Sequence, residues 1–504
     1  MGKILASNWH KLLVAWVAIS LAGSMAVCSV PVRALRETPH GVTTNKWSKQ
    51  VQLVLDATEA LEFERGERLP LYLWHAMNPG LLDPNTAEEL LSLLNARGIG
   101  LITSWDPKNR QRSLQESLVI AKAQKKLGLR VNINANKCLD SFFDGDPRTA
   151  HVDDEGRPFW DPSFGKKNMG CPFTLEFRRP AIREQLEYFI RGFKEAALDV
   201  DFIFADWEID GPIEFNEAHA ACKRCRRCRQ SIENIDSFED FQKAIRTLRC
   251  QLQREVYAEP VKQNFPGALV GNYGVYLHDG YRYWYDYYEY YVDGQPFKGD
   301  QQAKYRKWYD EFPETGYTFA MPVIYPWRRI FDWYDYTDTD YRWFYNMLLV
   351  ASNAGGHTPA DVPIISFVHW QTIEPKDAGG GAVQLSEAAY QELLWHVLLR
   401  GTDTLFLWCG AEQAAKESRL VQQVYAAAQQ YGQFLSEGTP INFDVPKRPG
   451  PVISGLELDG RILVRRTDFG PPSTGAVSIA VGDRRIEVPP APGRCQIISL
   501  GGKP

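Results

Sequence analysis

The stretch DFIFADWEID (201–210) decides how the fold is read. Phe202 to Ala205 is apolar and aromatic, whereas Asp206, Glu208 and Asp210 crowd acidity into the next five positions. Side chains alternate along a strand, so Phe202, Phe204, Asp206 and Glu208 share one face. That face is apolar deep in the strand and acidic where the strand emerges. A strand of a buried parallel sheet with its chemistry at the C-terminal end has this pattern.

Seven further stretches resemble the apolar half of this one: LPLYLWHAM (69–77), IGLITSWD (99–106), LRVNINANK (129–137), ALVGNYGVY (268–276), YTFAMPVIY (317–325), PIISFVHW (363–370) and TDTLFLWCG (402–410). Amphipathic runs lie between several of them, at 86–98, 113–128, 178–196, 386–401 and 415–435. Gly98 marks one helix end and Pro180 one helix start. Strands alternating with helices of this length imply parallel pairing and right-handed crossovers. Eight such units favour an α/β fold of the (β/α)8 TIM-barrel type, spanning 69–440. An open doubly wound sheet would more often carry a Gly-rich first turn, and neither GxGxxG nor a phosphate loop occurs. Residues 441–504 read instead as four or five antiparallel strands, a small C-terminal all-β domain.

The N-terminus is expected to lie outside the fold. Lys3, His10 and Lys11 precede the apolar run LLVAWVAISLAGSMAV (12–27), the shape of a secretory signal over 1–27. Residues 28–68 form an extension, and export is expected, with lipid attachment at Cys28 the lesser variant. No other segment is apolar enough to span a membrane.

The chain has 504 residues, 57 basic against 62 acidic, and is 44% hydrophobic, which excludes long-range disorder and argues against a nucleic-acid partner. The anomaly is 15 Trp, 23 Tyr and 25 Phe. Many of these rings fall at expected strand ends, where they would stack on the apolar faces of sugars. Trp74, Trp105, Tyr273, Trp370 and Trp408, with the polar Asp106 and Asn134, are the candidate substrate-binding residues. From Tyr273 to Tyr291 a Tyr-rich loop is expected to line a groove. A self-packed core is the plainer explanation of any single ring.

Carboxylates two residues apart on one strand face lie roughly 5–7 Å from each other. Each disfavours ionisation of the other, which raises one pKa. A carboxylic acid held protonated near neutral pH is what glycoside hydrolysis needs to protonate a leaving oxygen. Glu208 is the candidate acid/base and Asp206 its orienting partner. The competing readings are structural ion pairs, or a metal-dependent hydrolase using Asp106, Asp206 and Asp210. A retaining glycosidase with Glu374 as nucleophile would keep the same fold but needs carboxyls about 5–5.5 Å apart.

Asp206-Trp207-Glu208 at the end of a fourth barrel strand resembles the hyaluronidase group of glycoside hydrolases. GNYGVYLHDGYRYWYDYY (271–288), PVIYPW (322–327) and TLFLWCG (404–410) are similar to later strand ends of that family. The resemblance implies a retaining mechanism in which Glu208 donates the proton and the 2-acetamido oxygen of the substrate is the nucleophile. It also implies Asp206 as orienter of that acetamido group, Tyr276 and Tyr325 as hydroxyl donors, and Trp408 as a sugar-facing ring. The expected substrate is then an N-acetylhexosamine polysaccharide of hyaluronan or chondroitin type, with no catalytic cofactor. Ile209-Asp210-Gly211-Pro212 departs from the family, which usually follows its pair with a Trp-Arg-Pro-like segment. A non-catalytic glycan-binding barrel is the competing class.

Next comes HAACKRCRRCRQ (219–230), the densest basic run in the chain. Such a run is usually a solvated face, but here it would also steer a polyanionic glycan toward the mouth. Cys222, Cys225 and Cys228 have zinc-ligand spacing, with Cys250 a fourth candidate. Disulfides are the default in an exported chain, and structural zinc is the alternative.

Overall fold

The computed structural model describes residues 46–74, 77–139, 142–143, 145–162, 169–206, 218–273, 312–326, 336–373, 383–470 and 474–500, and the backbone of 291–292 and 295–296. The barrel strands are β1 (Leu71–Trp74), β2 (Ile99–Ser104), β3 (Asn132–Asn134), β4 (Phe202–Ala205), β5 (Leu269–Asn272), β6 (Val323–Ile324), β7 (Ile365–Val368) and β8 (Thr404–Trp408). They form one parallel sheet in the order β6-β7-β8-β1-β2-β3-β4-β5. The ring closes just ahead of β6. The Thr318 N–H donates to the Val270 carbonyl at 2.9 Å, and the Val270 N–H donates to the Thr318 hydroxyl at 2.8 Å. Each strand lies within one of the eight expected stretches, and the fold is a (β/α)8 barrel. The sixth is the shortest because Pro322 has no N–H to give the ladder, although its carbonyl still accepts from Phe367.

The outer layer includes α1 (Lys49–Ala57), α2 (Pro84–Ala96), α3 (Arg110–Lys126), α4 (Arg179–Glu195), α5 (His219–Arg224), α6 (Arg226–Ser231), α7 (Phe238–Gln253), α8 (Glu259–Asn264), α9 (Phe312–Thr315), α10 (Thr339–His357), α11 (Glu387–Leu398), α12 (Ala414–Ala428) and α13 (Gly432–Glu437). Helix starts follow local chemistry. Asp83 caps α2 by accepting from the N–H groups of Asn85 and Thr86, and Pro84 sits in the first turn where no N–H is needed. Among the described residues, no helix is long and apolar enough to cross a membrane.

The barrel is filled by rings. Tyr72 stacks on Phe202 at 4.3 Å, Phe204 meets Phe406 at 4.6 Å, and Trp74 packs edge-on against Phe204 at 5.1 Å. Phe319 also enters this layer, 5.3 Å from Phe202. It fits because residue 271 is glycine: a Cβ there would lie 2.6 Å from the Phe319 ring. Much of the aromatic excess is therefore spent on the barrel interior, each ring burying on the order of 150–250 Å².

At the C-terminus, β9 (Thr439–Pro440), β10 (Pro451–Leu458), β11 (Arg461–Asp468) and β14 (Cys495–Ser499) form an antiparallel sheet, and β12 (Val477–Val481) pairs with β13 (Arg484–Val488). The β10–β11 turn is Asp459-Gly460, both with positive φ, the two-residue geometry that matches strand twist. The sheet docks on α11 through buried polar groups. His396 bonds Ser454 and Thr467, Arg465 pairs with Glu392, and the fully buried Arg400 bonds Ser454 and the carbonyls of Phe443, Asp444 and Ile453.

Candidate functional site

The inward-facing rows of the barrel continue to its C-terminal mouth. Tyr273 follows Gly271 on β5, His369 follows Phe367 on β7, and Trp408 follows Phe406 on β8. Tyr325 comes directly after β6. These four groups form a layer above the phenylalanines. The hydroxyls of Tyr273 and Tyr325 lie 3.0 Å apart, and Tyr273 packs edge-on against Phe367 at 4.8 Å. Tyr325 lies 6.2 Å from the His369 ring and 6.4 Å from the Trp408 ring. Trp408 is half-buried, and Asp206, next in phase after Phe204, is half-buried as well.

The strand-7 end is held by Glu417 from the first turn of α12. Its carboxylate is fully buried and accepts from the Trp370 N–H at 2.8 Å and the Gln371 N–H at 3.3 Å. The His369 Nδ1 lies 3.0 Å from the same carboxylate and 2.8 Å from the Trp408 carbonyl. Both neighbours are acceptors, so Nδ1 carries a proton. Glu417 thereby orients the imidazole, and nothing in the sequence around it marks it as more than a helix residue. Replacing Glu417 by Leu leaves those amides unpaired and is expected to cost about 1–3 kcal/mol. A urea titration reads this as a lowered midpoint, and an unchanged midpoint refutes the holding role.

Several expected substrate-binding residues are committed elsewhere. Trp105 is out of phase with the inward row and points to the helix layer, where it stacks on Phe189 at 5.4 Å and meets Phe193 at 5.1 Å. It is 0% exposed, so no ring face is offered to a sugar. Trp74 is buried against the barrel phenylalanines, 5.9 Å from Phe367 and 6.1 Å from Phe406. Trp370 turns outward, donates its indole N–H to the Leu385 carbonyl at 2.9 Å, and is covered by the Lys416 ammonium at 4.1 Å. Asn134 is buried, donating to the Ser104 hydroxyl and accepting from the Asn136 N–H. Asp106 pairs with Lys137 at 2.7 Å and accepts from the Lys108 N–H. Burial pushes the Asp106 carboxyl up, but the hydrogen bond and charge of Lys137 outweigh it and hold the pKa below the ordinary value. Of the seven, Tyr273 and Trp408 stand at the mouth. Glu208, Tyr276, Asp210, Glu374 and most of the Tyr-rich loop lie outside the described residues.

The basic run is largely engaged. Arg229 pairs with Asp154, Arg224 lies 3.8 Å from Asp153, and Arg227 donates to the Ala150 carbonyl. The expected disulfides are not formed among the eight described cysteines. The expected metal set is also redistributed. Cys225 and Cys228 come together with Cys171 and His151 rather than with Cys222 and Cys250. Cys225 lies in extended backbone between α5 and α6, which breaks the helical spacing that would have kept it in line with Cys222.

No family model matches the sequence, and no curated protein matches it. Among solved structures, the chain is similar to alpha-L-fucosidase isoenzyme 2 from Paenibacillus thiaminolyticus, at 13% identity and TM-score 0.41, over 74% of this chain and 51% of that one. It is also similar to the GH36 alpha-galactosidase AgaA from Geobacillus stearothermophilus, at 11% identity and TM-score 0.45, over 89% and 58%. A third is the alpha-glucosyl transfer enzyme XgtA, at 11% identity and TM-score 0.40, over 88% and 98%. The chain thus spans between half and three-fifths of the length of the first two.

Proposed function

We propose that this protein is an exported glycoside hydrolase acting on an N-acetylhexosamine-containing polysaccharide. The observation that carries the reading is the delivery of Asp206, half-buried and in phase with Phe202 and Phe204, to the C-terminal mouth of a closed barrel. Barrel enzymes place their reacting groups on that face. The Tyr273–Tyr325 hydroxyl pair and the half-buried Trp408 ring supply polar and apolar contacts of the kinds a sugar takes. Glu208, two residues further on, is the proton donor to the leaving oxygen and later the base toward water. Asp206 orients the substrate acetamido group, whose oxygen attacks the anomeric carbon with retention of configuration, and Tyr325 and Tyr276 steady it by hydrogen bonds. The substrate class and the acetamido route rest on the motif resemblance.

The test is digestion of hyaluronan, chondroitin and chitin oligosaccharides by the wild-type chain, with and without N-acetylglucosamine-thiazoline, which mimics the cyclised acetamido intermediate. Reducing-end release that the thiazoline inhibits is the expected result. Absence of cleavage across the panel overturns the hydrolase reading in favour of a glycan binder. Cleavage indifferent to the thiazoline, with a covalent adduct on Glu374, overturns the acetamido route.

A further inference from the structure

Two loops on the mouth side of the barrel bring four buried metal-binding side chains together. His151 starts a short hairpin in the β3–α4 connection, Cys171 lies later in that connection, and Cys225 and Cys228 come from the β4–α7 connection. All four are fully buried, and their ligand atoms lie within 4.8 Å of one another. The Cys171 and Cys228 sulfurs are 3.5 Å apart, and the Cys228 sulfur is 3.9 Å from His151 Nδ1. A tetrahedral zinc with Zn–S of about 2.3 Å and Zn–N of about 2.0 Å has ligand–ligand edges of about 3.5–3.8 Å. A disulfide, at about 2.05 Å, would need the two sulfurs to move well inside their present separation.

A second observation points the same way. The His151 ring is held with Nδ1 turned toward the Cys228 sulfur, which makes that nitrogen the ligand atom, and its buried Nε2 has no protein partner among the described residues. Burying such a polar group without compensation costs about 1–3 kcal/mol. The surroundings suit anionic ligands. The Arg224 guanidinium lies 3.9 Å over the Phe159 ring, which itself stacks on His151 at 5.0 Å. Arg227 spans from the Cys225–Cys228 turn to the Ala150 carbonyl at 3.0 Å.

We propose that His151, Cys171, Cys225 and Cys228 form a structural zinc site that staples the β3–α4 connection to the β4–α7 connection. Binding releases the three thiol protons to solvent and leaves a site of net charge −1 near Arg224 and Arg227. Four protein ligands leave no open coordination position, so the metal holds the loops and takes no part in turnover. The staple stands whether or not the glycosidase reading does.

The experiment is metal analysis of the full chain after dialysis against micromolar zinc, with and without reductant, joined to X-ray absorption at the zinc edge. One zinc per chain is expected, with three sulfurs at about 2.3 Å and one nitrogen at about 2.0 Å. Cys171→Ser and His151→Asn are each expected to weaken zinc retention at least tenfold against a competing chelator, whereas Cys222→Ser and Cys250→Ser retain it. Chains without bound zinc, or with a mapped Cys171–Cys228 disulfide, overturn the proposal. So does zinc that survives Cys171→Ser but is lost with Cys222→Ser. Should the ligand variants fail to fold, the wild-type absorption spectrum decides, since any ligand set other than three sulfurs and one nitrogen refutes the assignment.

Discussion

Replacing Glu208 by Gln is expected to lower turnover of an N-acetylhexosamine glycan by roughly 10²–10⁴-fold, the contribution usual for a positioned general acid. The amide is nearly isosteric, so ligand binding should persist while the transferable proton is gone. The loss should depend on the leaving group. A sugar alcohol must be protonated as it departs, whereas a dinitrophenolate leaves readily as the anion. On an aryl glycoside of that kind the defect should shrink by at least tenfold. Glycan turnover within threefold of wild type removes Glu208 from the acid role. An equal defect on both substrates assigns it to binding or orientation instead. Asp206→Asn should behave differently, since its contact is with the acetamido group, and its defect should appear on both substrates.

The barrel was legible because its strands are short, apolar and evenly interrupted, and the 201–210 stretch announced both its burial and its exit. Helices were less evenly readable. The α10 segment carries Trp343, Phe344, Tyr345, Met347 and Leu348 in near succession, all buried, so it shows no clean amphipathic period. The rim was harder still. Alternation along a strand tells which face a ring takes but not at what depth, and a shift of one or two residues converts a sugar platform into barrel filling. Trp74 and Trp408 are partners on adjacent strands, yet Trp74 is buried and Trp408 is half-buried. Trp105 fails by parity, being one residue past Ser104 and turned to Phe189. Glu417 was invisible for another reason: it acts on Trp370 from 47 residues downstream, across a helix, and no local pattern encodes that. The thiol cluster shows the same limit, since Cys171 and His151 lie 57 and 77 residues before Cys228. Close spacing drew attention to Cys222, whereas the chain path selected its more distant partners.

The largest expected stability loss is at Arg400, where the C-terminal sheet meets the barrel wall. Its side chain is fully buried, and desolvation pushes its pKa down to about 9 despite the pull of Asp444. It is still cationic at neutral pH, so its burial is tolerated only because its donors are used. Nε reaches the Ser454 hydroxyl at 2.8 Å, Nη1 the Phe443 carbonyl at 2.8 Å, and Nη2 the Asp444 carbonyl at 2.9 Å. These acceptors belong to the linker and first long strand of the C-terminal sheet, and Nη1 also donates to Ser352 on α10. Arg400→Leu relieves the cost of the buried charge, but it strands several buried acceptors at about 1–3 kcal/mol each. The second effect wins because there are several acceptors and only one charge. A net loss of about 3–5 kcal/mol is expected, in the range found when a buried charged network is broken. Arg400→Lys keeps the charge with fewer directed donors and should recover only part of the loss. In urea titrations the wild type should unfold with sheet and barrel together. The Leu variant should lose its C-terminal sheet first and become sensitive to proteolysis within 443–450. A midpoint change equivalent to less than about 1 kcal/mol, within the range of an ordinary surface substitution, would show that the sheet is held by its apolar face alone.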